Sequence, residues 1–344
     1  MRRTLSPREA VAALKAAAEP TRLRILLLLA GGELNVKDLT EILRQSQPRV
    51  SRHLKLLTEA GLIERAREGS WVYFRIADDA EGGALVRHVL HLVAPDDPAI
   101  LRDRDRAEVL KRQREQTAQT YFDAHAADWD RIRTLHVPEA AVEREILDLI
   151  GPGPFELLVD LGTGTGRILE LLSPRYRQAV GFDVNHSMLA YARSKLSAAG
   201  LDRAHVRHGD LYALPLADGA ADAVVMHQVL HFMSEPSRAI AEAARVLRPG
   251  GRLIVIDFAP HGLEFLREQF AHERLGFSGP QIEEWLAAAG MTACGVRTLE
   301  PETRGGPEQL TVSIWVGERM LDARRGRGRQ SSSELQEAND ERVQ

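Results

Sequence analysis

The segment LVDLGTGTGR, residues 158–167, sets three glycines within five positions directly behind an apolar run. An apolar strand, a glycine turn and a following helix form a unit whose backbone can come close to a ligand at the mouth of a sheet. The glycine spacing narrows the ligand class. Dinucleotide loops favour G-x-G-x-x-G, whose third glycine lets helix and strand pack closely. Gly162 and Gly164 fit that pattern, but position 167 is Arg and the third glycine is Gly166, making D-x-G-x-G-x-G from Asp160. No Gly-Lys-Ser/Thr follows, so a phosphate-binding P-loop is excluded.

Around this loop strand-like and helix-like patterns alternate, which argues for a mainly parallel sheet. Strands are predicted at 156–161, 178–183, 204–208, 221–226 and 251–258, with 291–298 and 310–317 as a closing hairpin. Asp183 ends the second strand, about twenty residues past the loop, where a carboxylate can accept both hydroxyls of a ribose. Asp210 ends the third, in VRHGDLYALPL, and the fourth runs into His227 and Gln228. Three acidic residues at three successive strand ends suit a ligand with several donors.

The region from about 116 to 318 resembles the class I S-adenosylmethionine-dependent methyltransferases of the small-molecule type, through VDLGTGTG, GFDVNHSMLAYA, GDLYALPL and RVLRPGGRLIVIDF. The resemblance implies a Rossmann-like α/β domain with a seven-stranded sheet, placed here at 121–320, that binds S-adenosylmethionine or S-adenosylhomocysteine. It puts Asp160, Gly162, Gly164 and Gly166 at the methionine end, Asp183 on the ribose, Asp210 and Leu211 around adenine, and His227 near the ligand. It also implies that Tyr121 and Trp129, in a capping segment, help to enclose the pocket. Methyl transfer is largely alignment, and a hydroxyl acceptor would need a base. His231 and His261 follow strand ends near the expected pocket and are the leading candidates, ahead of His227 and His272. The thiols used by arsenite methyltransferases are absent.

The first 94 residues read differently. Two helices over 7–30 break at AAAEPTRLRIL, and VKDLTEILR is a short helix with Val36, Leu39, Ile42 and Leu43 on one side. In QSQPRVSRHLKLLTEAGLI, Ser46 suits an N-cap, Pro48 a first turn and Gly61 a C-terminal stop, with Val50, Leu54 and Leu57 facing a core. LIERARE and SWVYFRI flank Glu68-Gly69-Ser70 as a hairpin. Helix, turn, helix and hairpin make a mainly α winged helix-turn-helix. Opposite the apolar stripe lie Pro48, Ser51, Arg52 and Lys55, with Gln47 and Arg49 at the N-terminal turn, the short polar and cationic groups that base edges and phosphates require. Arg65, Arg67 and Arg75 on the hairpin are placed to reach phosphates. Residues 1–78 carry 14 Lys/Arg against 9 Asp/Glu, hence +5 within a chain of net −4, consistent with a local anionic partner.

This segment, roughly 5–93, resembles the ArsR/SmtB family of transcriptional repressors through EPTRLRIL, SQPRVSRHLKLLTEAGLI and REGSWVYFRI. The resemblance implies a homodimer, paired through its first and last helices on a two-fold operator in double-stranded DNA, with Gln47, Ser51 and His53 at the DNA. Many members carry Cys-x-Cys in the helix before the recognition helix; here ELNVKDL offers Asn35 and Lys37. His88 and His91, with Asp78 and Asp79, do not match the spacing of the family's second metal site. No metal is expected.

ILRDRDRAEVLKRQREQ reads as a solvated helical connector over 95–120, and 321–344 as a disordered tail. The single cysteine, Cys294, excludes internal disulfides, and the longest apolar run, Ile25 to Ala30, is too short to span a bilayer. With a charged start unlike a signal peptide, a cytoplasmic protein is expected. Two functions follow. In the leading one, the chain is a regulator of methionine-cycle genes whose second domain binds a nucleoside effector. In the alternative, it is an active methyltransferase on a small-molecule acceptor, controlled or targeted by its winged helix.

Overall fold

The structure, a computed structural model, describes residues 5–68, 71–77, 81–132, 139–300 and 310–321. The winged helix opens with α1 (Pro7–Ala17) and α2 (Pro20–Leu29), each with proline in the first turn. Ser6 and Glu9 form a reciprocal capping box on α1, and the Glu19 carboxylate accepts from the Arg22 amide at the start of α2. A short strand β1 (Leu34–Asn35) leads into α3 (Val36–Leu43) and α4 (Gln47–Glu59). Asn35, one of the residues standing where relatives have thiols, caps α3 in a second box with Asp38. Ser46 holds the N-cap position of α4 with extended backbone, yet its side chain makes no capping bond. The hairpin β2 (Ile63–Glu68) and β3 (Trp71–Ile76) completes a three-stranded sheet in the order β1-β3-β2, and α5 (Gly82–His91) follows. Val50, Leu54 and Leu57 bury against Ile25, Leu39 and Ile42, as their helical spacing requires.

Next comes α6 (Pro98–His125), a continuous helix that runs past residue 120, where the sequence reading starts the second domain. The expectation of a solvated connector fails on one face. Asp103 is buried and takes a bidentate grip from Arg24 of α2, at 2.5 and 2.6 Å. Arg106 donates to the Ile42 carbonyl, and Ala107 and Leu110 pack on the core of the winged helix.

Beyond α7 (Trp129–Ile132) and α8 (Glu139–Ile150) the chain alternates: β4 (Phe155–Leu161), α9 (Arg167–Leu171), β5 (Tyr176–Asp183), α10 (His186–Ala198), β6 (Ala204–His208), β7 (Ala221–His227), α11 (Pro236–Val246) and β8 (Leu247–Phe258). After α12 (Phe265–Gln269) and α13 (Gly279–Ala288), β9 (Met291–Leu299) and β10 (Val312–Arg319) close the sheet. The order is β6-β5-β4-β7-β8-β10-β9, parallel except where β10 pairs antiparallel with β8 and β9. The central strands β4 and β7 are apolar almost throughout because helices cover both faces, giving two cores on opposite sides. Strand order reverses between β4 and β7, and a ligand crevice in such a sheet lies at that reversal, at the carboxyl ends.

The expected disordered tail at 321–344 lies, apart from its first residue, outside the described residues, as do Asp78 and Asp79. No helix among the described residues is long and apolar enough to cross a membrane. Leu54→Ala should cost about 2–5 kcal/mol, as a fully buried leucine does when truncated, read from urea denaturation followed at the winged helix. A loss below about 1 kcal/mol would show that α4 is not packed as described.

Candidate functional site

Parallel pairing of β4 with β5 sets their carboxyl ends side by side, so the glycine loop and Asp183 meet without further help. The amides of Gly162 and Thr163 donate to the Phe182 carbonyl at 2.8 and 3.0 Å, and the Gly164 amide donates to Asp183 Oδ2 at 2.9 Å. Gly162 and Gly164 sit at φ of +72° and +50°, in the left-handed region. A Cβ on Gly162 would come within 2.3 Å of the Val229 side chain. Asp183 Oδ1 accepts from the Asn185 amide at 2.8 Å, and the Asn185 side chain caps α10 at Met188 and donates to Asp123 of α6 at 3.0 Å.

A cleft of about 620 Å³ opens here, bordered by Gly162, Asp183, Asp210, Leu211, Tyr212 and Phe232 from the sheet side. Its other wall is α6, through Glu108, Lys111, Gln116, Gln119 and Phe122. Asp160 lies behind the loop, buried, with Oδ2 taking the Thr163 hydroxyl at 2.6 Å and Oδ1 without a hydrogen-bond partner. Burial pushes its carboxyl up to about 7 against the pull of the Thr163 bond, and the charge of Asp183 adds to the rise. Burial likewise raises Asp183, opposed by the amides of Asn185 and Gly164. His227 and Gln228 border a small hollow beside Thr163 and Trp129; Gln228 has φ of +52°, and its buried Nε2 has no hydrogen-bond partner. Trp129 lies over Gly164, about 3.4 Å from where a Cβ would stand.

The other sequence-predicted residues fall elsewhere. Tyr121 stacks on His125 at 4.3 Å and meets Phe270, while its neighbour Phe122 borders the cleft and packs edge to face on Phe232 and Trp129. His231 does not border the cleft; it is buried, with Nδ1 2.8 Å from Asp257 Oδ1, against Phe258 and His272. His261 does not border it either. Burial, with His231 nearby, lowers its imidazole to about 4, which makes it a weak base at neutral pH.

On the winged helix, Gln47, Arg49, Ser51, Arg52 and Lys55 are exposed along one side of α4, as is Arg65 on β2. Lys55 shares its charge with Glu59 at 3.7 Å. His53 is turned inward, 3.5 Å from Glu19, because position 53 lies next to the apolar stripe rather than opposite it. Arg75 is not available to phosphates: it pairs with Glu64 and, across the domain boundary, with Glu284 of α13 at 2.9 Å. The side chain of Arg67 lies outside the described residues.

A winged helix carrying an exposed cationic helix is thus joined to a doubly wound sheet with an acidic crevice. Comparison with known proteins gives both parts a family. The bacterial regulatory protein model of the arsR family matches residues 19–65, and a methyltransferase domain model matches 159–255. A malonyl-[acyl-carrier protein] O-methyltransferase of Methylococcus capsulatus is 32% identical over 208 residues, 56% of this chain and 71% of that one. A demethylmenaquinone methyltransferase of Clavibacter sepedonicus is 27% identical over 201 residues, 57% of this chain and 78% of that one. Other relatives match over less of their length: a demethylmenaquinone methyltransferase of Thermus thermophilus is covered over 54% and a 37.1 kDa transposon protein of Streptomyces fradiae over 32%. Among solved structures, a Haloferax volcanii methyltransferase in complex with the Trm112 activator shares the fold at a TM-score of 0.50 and 20% identity, over 58% of this chain and 97% of that one. The chain belongs to the class I methyltransferase family and carries an arsR-family winged helix ahead of that domain.

Asp160 makes a pH test possible. Its folded-state value, about 7, lies above the ordinary 3.8, so its contribution to stability is complete below pH 4 and is lost as pH rises to about 7. Asp160→Asn has no charge to bury and should gain on the wild type by up to about 1.4 kcal/mol per pH unit across that window, then level off. Denaturation of ligand-free protein between pH 4 and 8 measures this, and a difference independent of pH would overturn the assignment.

Proposed function

We propose that the chain is a DNA-binding transcriptional regulator whose methyltransferase domain holds S-adenosylmethionine or S-adenosylhomocysteine as an effector. The observation that carries this reading is α6: one helix forms a wall of the cleft and is gripped by the winged helix through Asp103, Arg106 and Arg114. A ligand can change DNA affinity only if it binds two forms of the protein unequally, and a shared wall supplies a physical route.

The residues suit such a nucleoside. Asp183 would take the ribose hydroxyls, Asp210 and Leu211 would border adenine, and the glycine loop would run along the methionine part with Trp129 over it. Gly162 and Asp183 border the cleft side by side, which suits a ligand that meets both the loop backbone and a carboxylate. Genes of the methionine cycle are the targets that such an effector would inform. The protein would act as a homodimer on a two-fold operator; exposed Val11 and Leu14 on α1 and Leu92 after α5 support pairing through those helices.

The second reading, catalysis on a small-molecule acceptor, draws on the similarity to the methyltransferases named above. Tritiated methyl transfer into a cell extract tests it, and absence of labelled product counts against it.

Two outcomes test the regulator. With a duplex selected by the protein from a random library, one of the two nucleosides should change DNA affinity at saturation, and Asp183→Asn, which keeps one oxygen to accept a backbone amide, should weaken the change while leaving ligand-free DNA binding intact. No effect of either nucleoside sinks the effector role. Separately, Arg52→Ala should weaken binding and lower the salt slope by about 1, whereas Arg75→Ala should leave the slope unchanged because its charge is already paired. Equal slopes for wild type and Arg52→Ala would remove α4 from the DNA.

A further inference from the structure

Helix α6 carries two stripes at helical spacing. Asp103, Ala107, Leu110 and Arg114 meet the winged helix, while Glu108, Arg112, Gln119 and Phe122 border the cleft. Lys111 lies between them. It borders both the cleft and a second hollow of about 730 Å³ between the domains, with Nζ 2.6 Å from Glu235 and 4.9 Å from the Tyr212 ring centroid.

One turn further on, Arg114 bridges the domains. One guanidinium nitrogen donates to Asp38 Oδ1 in α3, and another donates to Glu273 Oε1 at 2.9 Å. Each carboxylate has a second duty. Asp38 Oδ2 accepts from the Asn35 amide in the box that starts α3, and α3 packs on α4. Glu273 Oε2 accepts from the Ser234 hydroxyl, and Ser234 borders the cleft. An unbroken series of hydrogen bonds thus runs from the cleft wall to the helix that supports the recognition helix.

We propose that Arg114 is the positioning residue through which occupancy of the cleft reaches the DNA-binding helix, by the series Ser234, Glu273, Arg114 and Asp38. The proposal rests on the nucleoside reading above and adds to it the residues that carry the signal. A guanidinium suits the role because its planar fork can hold two carboxylates at fixed angles, which an ammonium cannot. A contiguous series is not in itself coupling; the coupling is a difference that must be measured.

Hydrogen exchange of the full chain, with S-adenosylhomocysteine as probe, separates the steps. In the wild type the nucleoside should slow exchange at 160–166 and 183–190, along α6, and in α3. In Arg114→Gln, and in Glu273→Gln, which keeps the volume and a neutral acceptor, slowing at 160–190 should persist while the response of α3 disappears. In parallel, an effect on DNA affinity of about fivefold or more in the wild type should fall below about twofold in both variants. Absence of slowing at 160–166 and 183–190 in the wild type overturns the nucleoside reading itself. Slowing there with α3 unmoved in the wild type, or moved equally in both variants, overturns the role of Arg114.

Discussion

The carboxylate of Asp183 is the tie on which the rest of this architecture converges. One oxygen holds the glycine loop through the Gly164 amide, and the other holds the Asn185 amide. Asn185 in turn starts α10 and reaches Asp123 on α6. A single acid at a strand end therefore sets the loop, the next helix and the connector against one another. Burial makes its charge expensive, and backbone N–H donors offset that cost by bonding the ionised form. The carboxylate proposed to take a ribose is thus also the group that holds its own surroundings together.

Where the winged helix, α6 and the second domain meet, ion pairs take the place of an apolar seam. Arg24–Asp103, Arg75–Glu284, Lys111–Glu235 and Arg274–Glu33 accompany the Arg114 bridge, with side chains largely withdrawn from water on at least one side in most pairs. Such pairs add little net stability over an apolar contact, but deleting one partner of a buried pair costs about 3–5 kcal/mol. The interface is consequently specific in geometry without being adhesive, the property expected of surfaces that change their relation.

Much of the fold was legible because its signals are local. The strands declare themselves as short apolar runs bounded by turns, and the acid at each strand end needs only its position in the alternation. Helix α4 was equally plain from Val50, Leu54 and Leu57. What escaped depends on partners remote in sequence. Asp103 and Arg114 look like ordinary solvated charges until Arg24 and Glu273 are brought to them. Arg75 reads as a free cation until Glu284 reaches it. Choosing Tyr121 rather than Phe122 as the cleft residue shows a further limit: adjacent residues on a helix point about 100° apart, and the local sequence does not say which direction faces the sheet. His231 was singled out by its place after β7, but only the fold reveals that Asp257 and Phe258 enclose it.

The two stripes of α6 make the junction between the domains a matter of phase. A flexible tether tolerates one residue more or less. Here a single residue inserted between Arg114 and Phe122 would turn Gln119 and Phe122 by about 100° relative to Glu108, Arg112 and the stripe held by the winged helix, and so break the cleft wall in two. The register of α6, and not only its length, therefore sets how the two domains share the cleft wall.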